Sequence, residues 1–128
     1  MKNICIIGAG TAGLISALML KQSLNVNITI IKSDKIGIIG VGEGSENKFT
    51  QFLKFCNIDN AIANNLPQSK YTQINQLKDN KVVHQYISDQ FHFNTFKLNN
   101  YLIKKCRERN IDIIEDEVTS IEIKNKNI

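Results

Sequence analysis

Apolar positions along the chain follow two different periods. Residues 3–7 (NICII) form a short apolar run that ends at a glycine, the pattern of a strand buried in a parallel sheet. Over residues 11–23, Leu14, Ala17, Leu18 and Lys21 fall at helical spacing. Residues 26–31 (VNITII) return to a buried-type strand. Together these segments make a β-α-β unit of about 30 residues, for which a right-handed crossover and a parallel strand pair are expected. Residues 33–45 read as loop, with glycines at 37, 40, 42 and 44. Phe49, Phe52, Leu53 and Cys56 then share one helical face, and residues 58–66 read as a second short helix stopped by Pro67. Residues 71–77 and 81–87 flank Lys78-Asp79-Asn80 and predict a β-hairpin. Asn94 or Thr95 can cap a helix running to about Arg109, with Leu98, Tyr101, Leu102 and Cys106 as its core-facing stripe. Residues 111–114 and 118–123 read as two more strands.

At 128 residues the chain has one domain's length. A composition 42% hydrophobic and 22% charged excludes a disordered tail. The net charge is +4, but Arg107 and Arg109 are the only arginines, which is poor equipment for bidentate phosphate or base recognition. The one basic cluster, Lys104, Lys105, Arg107 and Arg109, falls in the last turns of a predicted helix, where cations suit the helix dipole. Neither nucleic-acid nor membrane binding is expected. Residues 3–20 carry no charge, yet they are short for a membrane span and contain Gly8, Gly10 and Gly13. Cys5, Cys56 and Cys106 form no CxxC, and His84 and His92 have no ligand partners at metal-binding spacing. No metal site and no disulfide framework are expected, and a cytoplasmic location fits.

Gly8-Ala9-Gly10-Thr11-Ala12-Gly13 is a GxGxxG motif lying between a predicted strand and a predicted helix. In that setting Gly8 permits a tight turn, Gly10 admits a pyrophosphate close to the backbone, and Gly13 lets the helix pack on the strand. The predicted fold is therefore α/β, a Rossmann-like FAD/NAD(P)-binding fold with a small β-hairpin insertion. An acid for the ribose hydroxyls is expected at the end of the second strand. Lys32 stands there, followed by Ser33 and Asp34. The lysine can favour an additional phosphate, Ser33 or Asp34 can take over the ribose contact, or binding is weakened; the sequence leaves these open.

A second glycine cluster, Ile39-Gly40-Val41-Gly42-Glu43-Gly44-Ser45, reads as a flexible loop whose backbone packs closely against something flat. With these residues the chain resembles the flavin-dependent halogenases of the tryptophan halogenase family. Gly40–Ser45 stands where that family carries GVGEAT, and residues 28–33 stand for its second strand. Phe91-His92-Phe93-Asn94 and the helix and strand after it resemble the family's Tyr/Phe-His-Phe-Asp segment, helix and adenine-side strand. Lys32 replaces the family's Glu, Gly44-Ser45 its Ala-Thr, and Asn94 its Asp. Ser45 keeps a hydroxyl, whereas Asn94 loses a charge.

The resemblance implies FAD as cofactor, supplied in reduced form by a separate flavin reductase. With oxygen and a halide it generates the oxidant that halogenates a small aromatic substrate such as tryptophan or another indole. Gly8, Gly10, Thr11, Ala12 and Gly13 are implied to hold the pyrophosphate, Ser33 to contact the cofactor, and Val118 to offer its backbone to the adenine. Gly40, Val41, Gly42, Glu43, Gly44 and Ser45 are implied to form a mobile strap over the flavin. The family's active-site lysine matches Lys70 if the alignment shifts by one residue; unshifted, Tyr71 takes the place, and a surface lysine without a catalytic role is the other reading. The implied organisation is a β-α-β unit over 2–32, a strap over 33–47, a helical and hairpin insertion over 48–90, and a helix and strands over 94–124. The family's Trp-x-Trp-x-Ile-Pro segment has no counterpart, because the chain contains no tryptophan. The expectation is an N-terminal part of an FAD-binding domain that by itself binds weakly and catalyses nothing. A stand-alone or degenerate dinucleotide-binding module without catalysis is the alternative.

Overall fold

The computed structural model describes residues 1–38, 43–45, 47–58 and 67–122. In chain order the elements are β1 (Lys2–Ile7), α1 (Thr11–Ser23), β2 (Val26–Lys32), β3 (Glu43–Ser45), α2 (Asn47–Phe55), β4 (Pro67–Lys78), β5 (Lys81–Phe93), α3 (Thr95–Glu108) and β6 (Asp112–Glu115). They form a parallel sheet in the order β1-β2-β6 and an antiparallel sheet in the order β3-β5-β4.

The parallel sheet is laid down by the sequence alternation of its central strand. Val26, Ile28 and Ile30 are buried while Asn27 is exposed. Register places Ile6, Ile30 and Ile113 in one row, all packed in or against the core. Leu14, Ala17 and Leu18 of α1 and Leu98, Leu102 and Cys106 of α3 are buried against the same core. The other face differs from the expectation of strands buried on both sides. Cys5 is exposed, and Ile7 and Ile114 are 56% and 50% exposed. Helices cover one face only among the described residues, so the apolar runs exceed what this part of the fold buries.

The second and third helices end by a shared device. Asn57 after α2 and Asn110 after α3 adopt left-handed backbone, with φ of 51° and 54°. The next residues, Ile58 and Ile111, bond back to Leu53 O and Cys106 O at 2.8 and 3.1 Å and are themselves buried. This is the Schellman arrangement, in which the apolar residue past the cap seals the last turn. Asn94 starts α3, its Oδ1 accepting from Lys97 N at 3.0 Å.

The hairpin is longer than residues 71–87. β4 and β5 pair from Pro67↔Phe93 to Lys78↔Lys81, with an irregularity at Gln76/Leu77. Asp79 and Asn80 turn it with φ of 51° and 59°, the doubly left-handed conformation that two-residue hairpin loops require. Toward the tip, Leu77, Val82, Val83 and Ile87 are exposed.

Two further expectations change. Glu43–Ser45 is a strand rather than loop, because β5 offers it a partner: Glu43↔Phe93, Gly44↔His92 and Ser45↔Phe91. Residues 118–122 form no strand. The ladder with β2 ends where Asp116 N bonds Lys32 O at 2.9 Å, and Asp116 Oδ1 then accepts from Glu117 N, turning the chain away. The expected helix over 58–66 falls at 59–66 outside the described residues.

Candidate functional site

The turn between β1 and α1 uses its three glycines in three different ways. Gly8 has φ of +106°, and its N–H donates to Ile31 O at 2.8 Å, tying the turn to the end of β2. Gly10 is the N-cap of α1 at φ −72°, ψ 176°, without a side-chain cap, and a Cβ placed on it meets nothing within 4 Å. It therefore leaves open space at a helix N-terminus that carries no acidic residue in its first turn, where Thr11 and Ala12 follow. Such an end carries N–H groups without intrahelical partners and favours an anion. Gly13 faces the turn, and a Cβ there would lie 2.0 Å from Gly8 O. Only glycine lets α1 approach the turn so closely.

A cleft of about 510 Å³ opens at the carboxyl ends of β1 and β2. Gly8, Ala9 and Gly10 line one side; Lys32, Ser33 and Asp34 line the end of β2; Asp116, Glu117 and Val118 line the far side. The sequence-predicted Gly8, Gly10, Ser33 and Val118 are thus brought to one cleft. Lys32 and Asp34 form an ion pair within it. That hydrogen bond, followed by one involving Glu115, holds the Asp34 carboxyl below its ordinary value. Lys35 Nζ meets Glu117 Oε2 at 3.2 Å across the rim.

Sequence reasoning missed Asn99. It is 1% exposed on α3 and lines the cleft. Its Nδ2 donates to Ala9 O at 2.7 Å, fixing the glycine turn from below, and its Oδ1 is buried without a protein partner. A buried amide beside two isoleucine-rich strands is a signal that periodicity alone treats as a polar interruption of the helix stripe. An orphaned buried acceptor at the floor of a cleft calls for a donor from a ligand or water. With the open approach at Gly10 it shows that these residues fit a dinucleotide.

The second glycine cluster and the lysine candidate meet elsewhere. Gly40, Val41 and Gly42 lie outside the described residues; Glu43, Gly44 and Ser45 form β3. In the antiparallel sheet Phe91 pairs with Ser45 on one side and Ser69 on the other, and Lys70 follows opposite Gln90, with Tyr71 opposite Asp89. The end of the cluster and the lysine segment therefore flank one strand. Phe93 at the base of that strand stacks on Phe49 of α2, with ring centroids 5.5 Å apart. A second hollow between α1 and α2 is apolar, lined by Ile15, Met19, Phe49, Phe52 and Phe55.

Three residues of the basic cluster at the end of α3 are engaged internally. Lys104 and Lys105 pair with Glu108, and Arg109 donates to Gln22 and to Cys56 O. Among the described residues no three His, Cys, Asp or Glu side chains are placed to hold a metal ion, and no helix is long and apolar enough to cross a membrane.

A glycine turn tied to parallel strands, an open helix N-terminus and a cleft beyond the strand ends define the Rossmann-like α/β class. Solved structures share this architecture. Tryptophan 6-halogenase from Streptomyces toxytricini matches 98% of this chain and 37% of its own at TM-score 0.78 and 16% identity. A flavin-dependent halogenase from Xanthomonas campestris matches 98% and 37% at TM-score 0.76 and 18% identity. The sequence pattern of the tryptophan halogenase family matches residues 3–72, and the chain belongs to that family. A 7-chloro-L-tryptophan 6-halogenase from Kutzneria sp. (strain 744) is 40% identical over 55 residues, 41% of this chain and 11% of that protein. The chain thus spans little more than a third of the solved chains it resembles.

Proposed function

We propose that this chain forms the FAD-binding portion of a flavin-dependent halogenase acting on tryptophan or an indole-like aromatic. The observation that carries the reading is the glycine turn: Gly8 left-handed, Gly10 open to a ligand and Gly13 in backbone contact, beside a cleft of about 510 Å³. In this reading Gly10, Thr11, Ala12 and Gly13 present helix N-terminal amides to the pyrophosphate. Ser33 and Asp34 lie at the ribose and the Val118 backbone at the adenine. Asn99 holds the turn in shape through Ala9 O. Reduced FAD, delivered by a separate flavin reductase, supplies the oxygen chemistry that oxidises a halide. Gly40–Ser45 forms the strap beside the flavin, and Lys70 is the candidate for orienting the oxidant by its ammonium. The antiparallel sheet supports the last two assignments by placing Ser45 and Ser69 on either side of Phe91.

The test is a titration of the protein with FAD, followed by incubation with FAD, flavin reductase, NADH, chloride and tryptophan. Saturable FAD binding is expected, with no chlorinated tryptophan formed by this chain alone, because it spans 37% of its solved relatives. Absence of FAD binding would overturn the reading. Turnover by this chain alone would contradict that expectation, and turnover that survives Lys70→Ala would also remove Lys70 from the active site.

A further inference from the structure

Helix α1 carries more apolar surface than the core takes up. Residues 11–20 hold no charge, and Leu14, Ala17 and Leu18 are the ones buried in the core. Ile15 and Met19, one turn apart, form a second flank, and Met19 is 41% exposed. Between this flank and α2 lies a hollow of about 570 Å³. Phe49 and Phe52 are its buried lining, and Phe55, 47% exposed, its outer one. Small-molecule sites have this size, roughly 300–1,000 Å³, and this character, apolar and aromatic with a few polar groups. Lys48 is the one charged side chain among the described residues that line it, and Gln51 stands a turn away on the same helix. Phe52 and Phe55 continue that stripe, so an ammonium and an amide stand beside an aromatic row. Among the described residues no acid pairs with Lys48.

We propose that this hollow is a binding site for a small aryl carboxylate, its ring among Met19, Phe52 and Phe55 and its carboxylate at Lys48 and Gln51. Phenyl rings and a thioether receive an aromatic ring. The ammonium and the side-chain amide donate to a carboxylate. A lone cation with no acid beside it selects a monoanion over a neutral or cationic ligand. It also disfavours an amino acid, whose own ammonium finds no partner there. The net charge of +4 weighs against a second copy of the chain as occupant. No residue lines both this hollow and the cleft at the strand ends, so the site is independent of the dinucleotide reading.

The probes share one ring and differ in charge: 3-(2-naphthyl)propionate, its neutral amide, and 3-(2-naphthyl)alanine. Each is titrated into the protein while backbone amide resonances are followed by NMR. The propionate is expected to shift Ile15, Met19, Gln51 and Phe52 and to leave Gly8 and Gly10 in place. It should bind about fivefold more tightly than the amide, the scale of one exposed charge pair, and more tightly than the amino acid. Lys48→Met should abolish the difference between acid and amide, and Phe55→Ala should weaken both by about threefold or more. Both side chains are exposed, and the amide spectrum of each variant reports whether it is folded. Saturating FAD should leave the propionate affinity unchanged. An amide or amino acid that binds as tightly as the propionate, a preference that survives Lys48→Met, or displacement by FAD would overturn the proposal. So would hollow resonances that no probe moves, or that move with protein concentration alone, which would assign the hollow to a contact between copies. None of these outcomes bears on FAD binding in the cleft, which its own titration tests.

Discussion

Gly13→Ala places a methyl group 2.0 Å from Gly8 O, 3.2 Å from Gly8 C and 3.5 Å from Ile6 Cγ2. The obstacle is backbone, so no rotamer change relieves it. The carbonyl would have to retreat by about 1 Å while the Gly8 amide is bonded to Ile31 O. Overpacking costs about 1–3 kcal/mol where side chains can shift, and a rigid backbone contact belongs at the upper end, about 3 kcal/mol. For a domain of this size that corresponds to a fall in Tm on the order of 10 °C. Gly10→Ala is the counter-case. Its φ of −72° suits any residue, and the added methyl meets nothing within 4 Å. The unfolded-chain gain of about 0.4–1 kcal/mol is offset by alanine's poor fit as an N-cap, so stability should stay level. Yet the methyl projects where a pyrophosphate would approach, and FAD affinity should fall by about tenfold or more. Gly8→Ala lies between, its φ of +106° costing about 1–3 kcal/mol in strain. Thermal unfolding by circular dichroism and FAD titration by flavin fluorescence separate the two effects. A Gly13→Ala protein with wild-type Tm, or a Gly10→Ala protein with wild-type FAD affinity, would refute the assignment of roles within the turn.

Asn99→Ala removes the donor to Ala9 O and leaves a buried carbonyl unpaired, so urea unfolding should show a loss of about 1–3 kcal/mol together with weakened FAD binding. Asn94→Ala removes the Oδ1 cap on Lys97 N and should cost about 1 kcal/mol by the same assay, with FAD affinity unchanged. Thiol labelling of the folded protein near neutral pH should modify Cys5 rapidly and spare Cys56 and Cys106, which are buried; equal rates at all three would contradict the core described. Burial pushes the Cys106 thiol up to about 12 from an ordinary 9.0. Its neutral form is thus favoured by folding: the contribution is complete below pH 9 and is lost as pH rises toward 12. Cys106→Ala should show a shallower decline of Tm across that alkaline interval than the wild type.

The β-α-β unit was legible because every local signal agreed. Thr11–Ser23 is helical as its spacing predicts, and β2 extends only one residue past the expected run. The hairpin centre was legible from Asp79-Asn80, which tolerate left-handed backbone. Its full length was not, since pairing out to Pro67↔Phe93 depends on partner residues across the strand pair rather than on alternation. Glu43–Ser45 was hidden for the same reason: a Gly-containing triplet has little strand propensity, and its partner Phe91–Phe93 is distant in sequence. Residues 118–122 show the converse: Val118, Thr119 and Ile121 are β-branched and suit a strand, but Val118 and Ile121 are 37% and 70% exposed and lack a ladder. At the site, the glycine motif announced the turn. The surroundings of Lys32 needed the structure, because only the fold sets Glu115 opposite it in the parallel sheet. Asn99 acquires meaning only through contact with Ala9, ninety residues earlier.

The central claim is that the β1–α1 turn and the end of β2 hold the dinucleotide. Amide chemical-shift mapping of the labelled protein during an FAD titration tests it most directly. Shifts concentrated at Gly8, Gly10, Ser33, Asp34 and Val118, and abolished by Gly10→Ala in a protein that remains folded, are the predicted result. Shifts centred instead on the apolar hollow between α1 and α2, at Ile15, Met19 and Phe52, or none at saturating FAD, would contradict it.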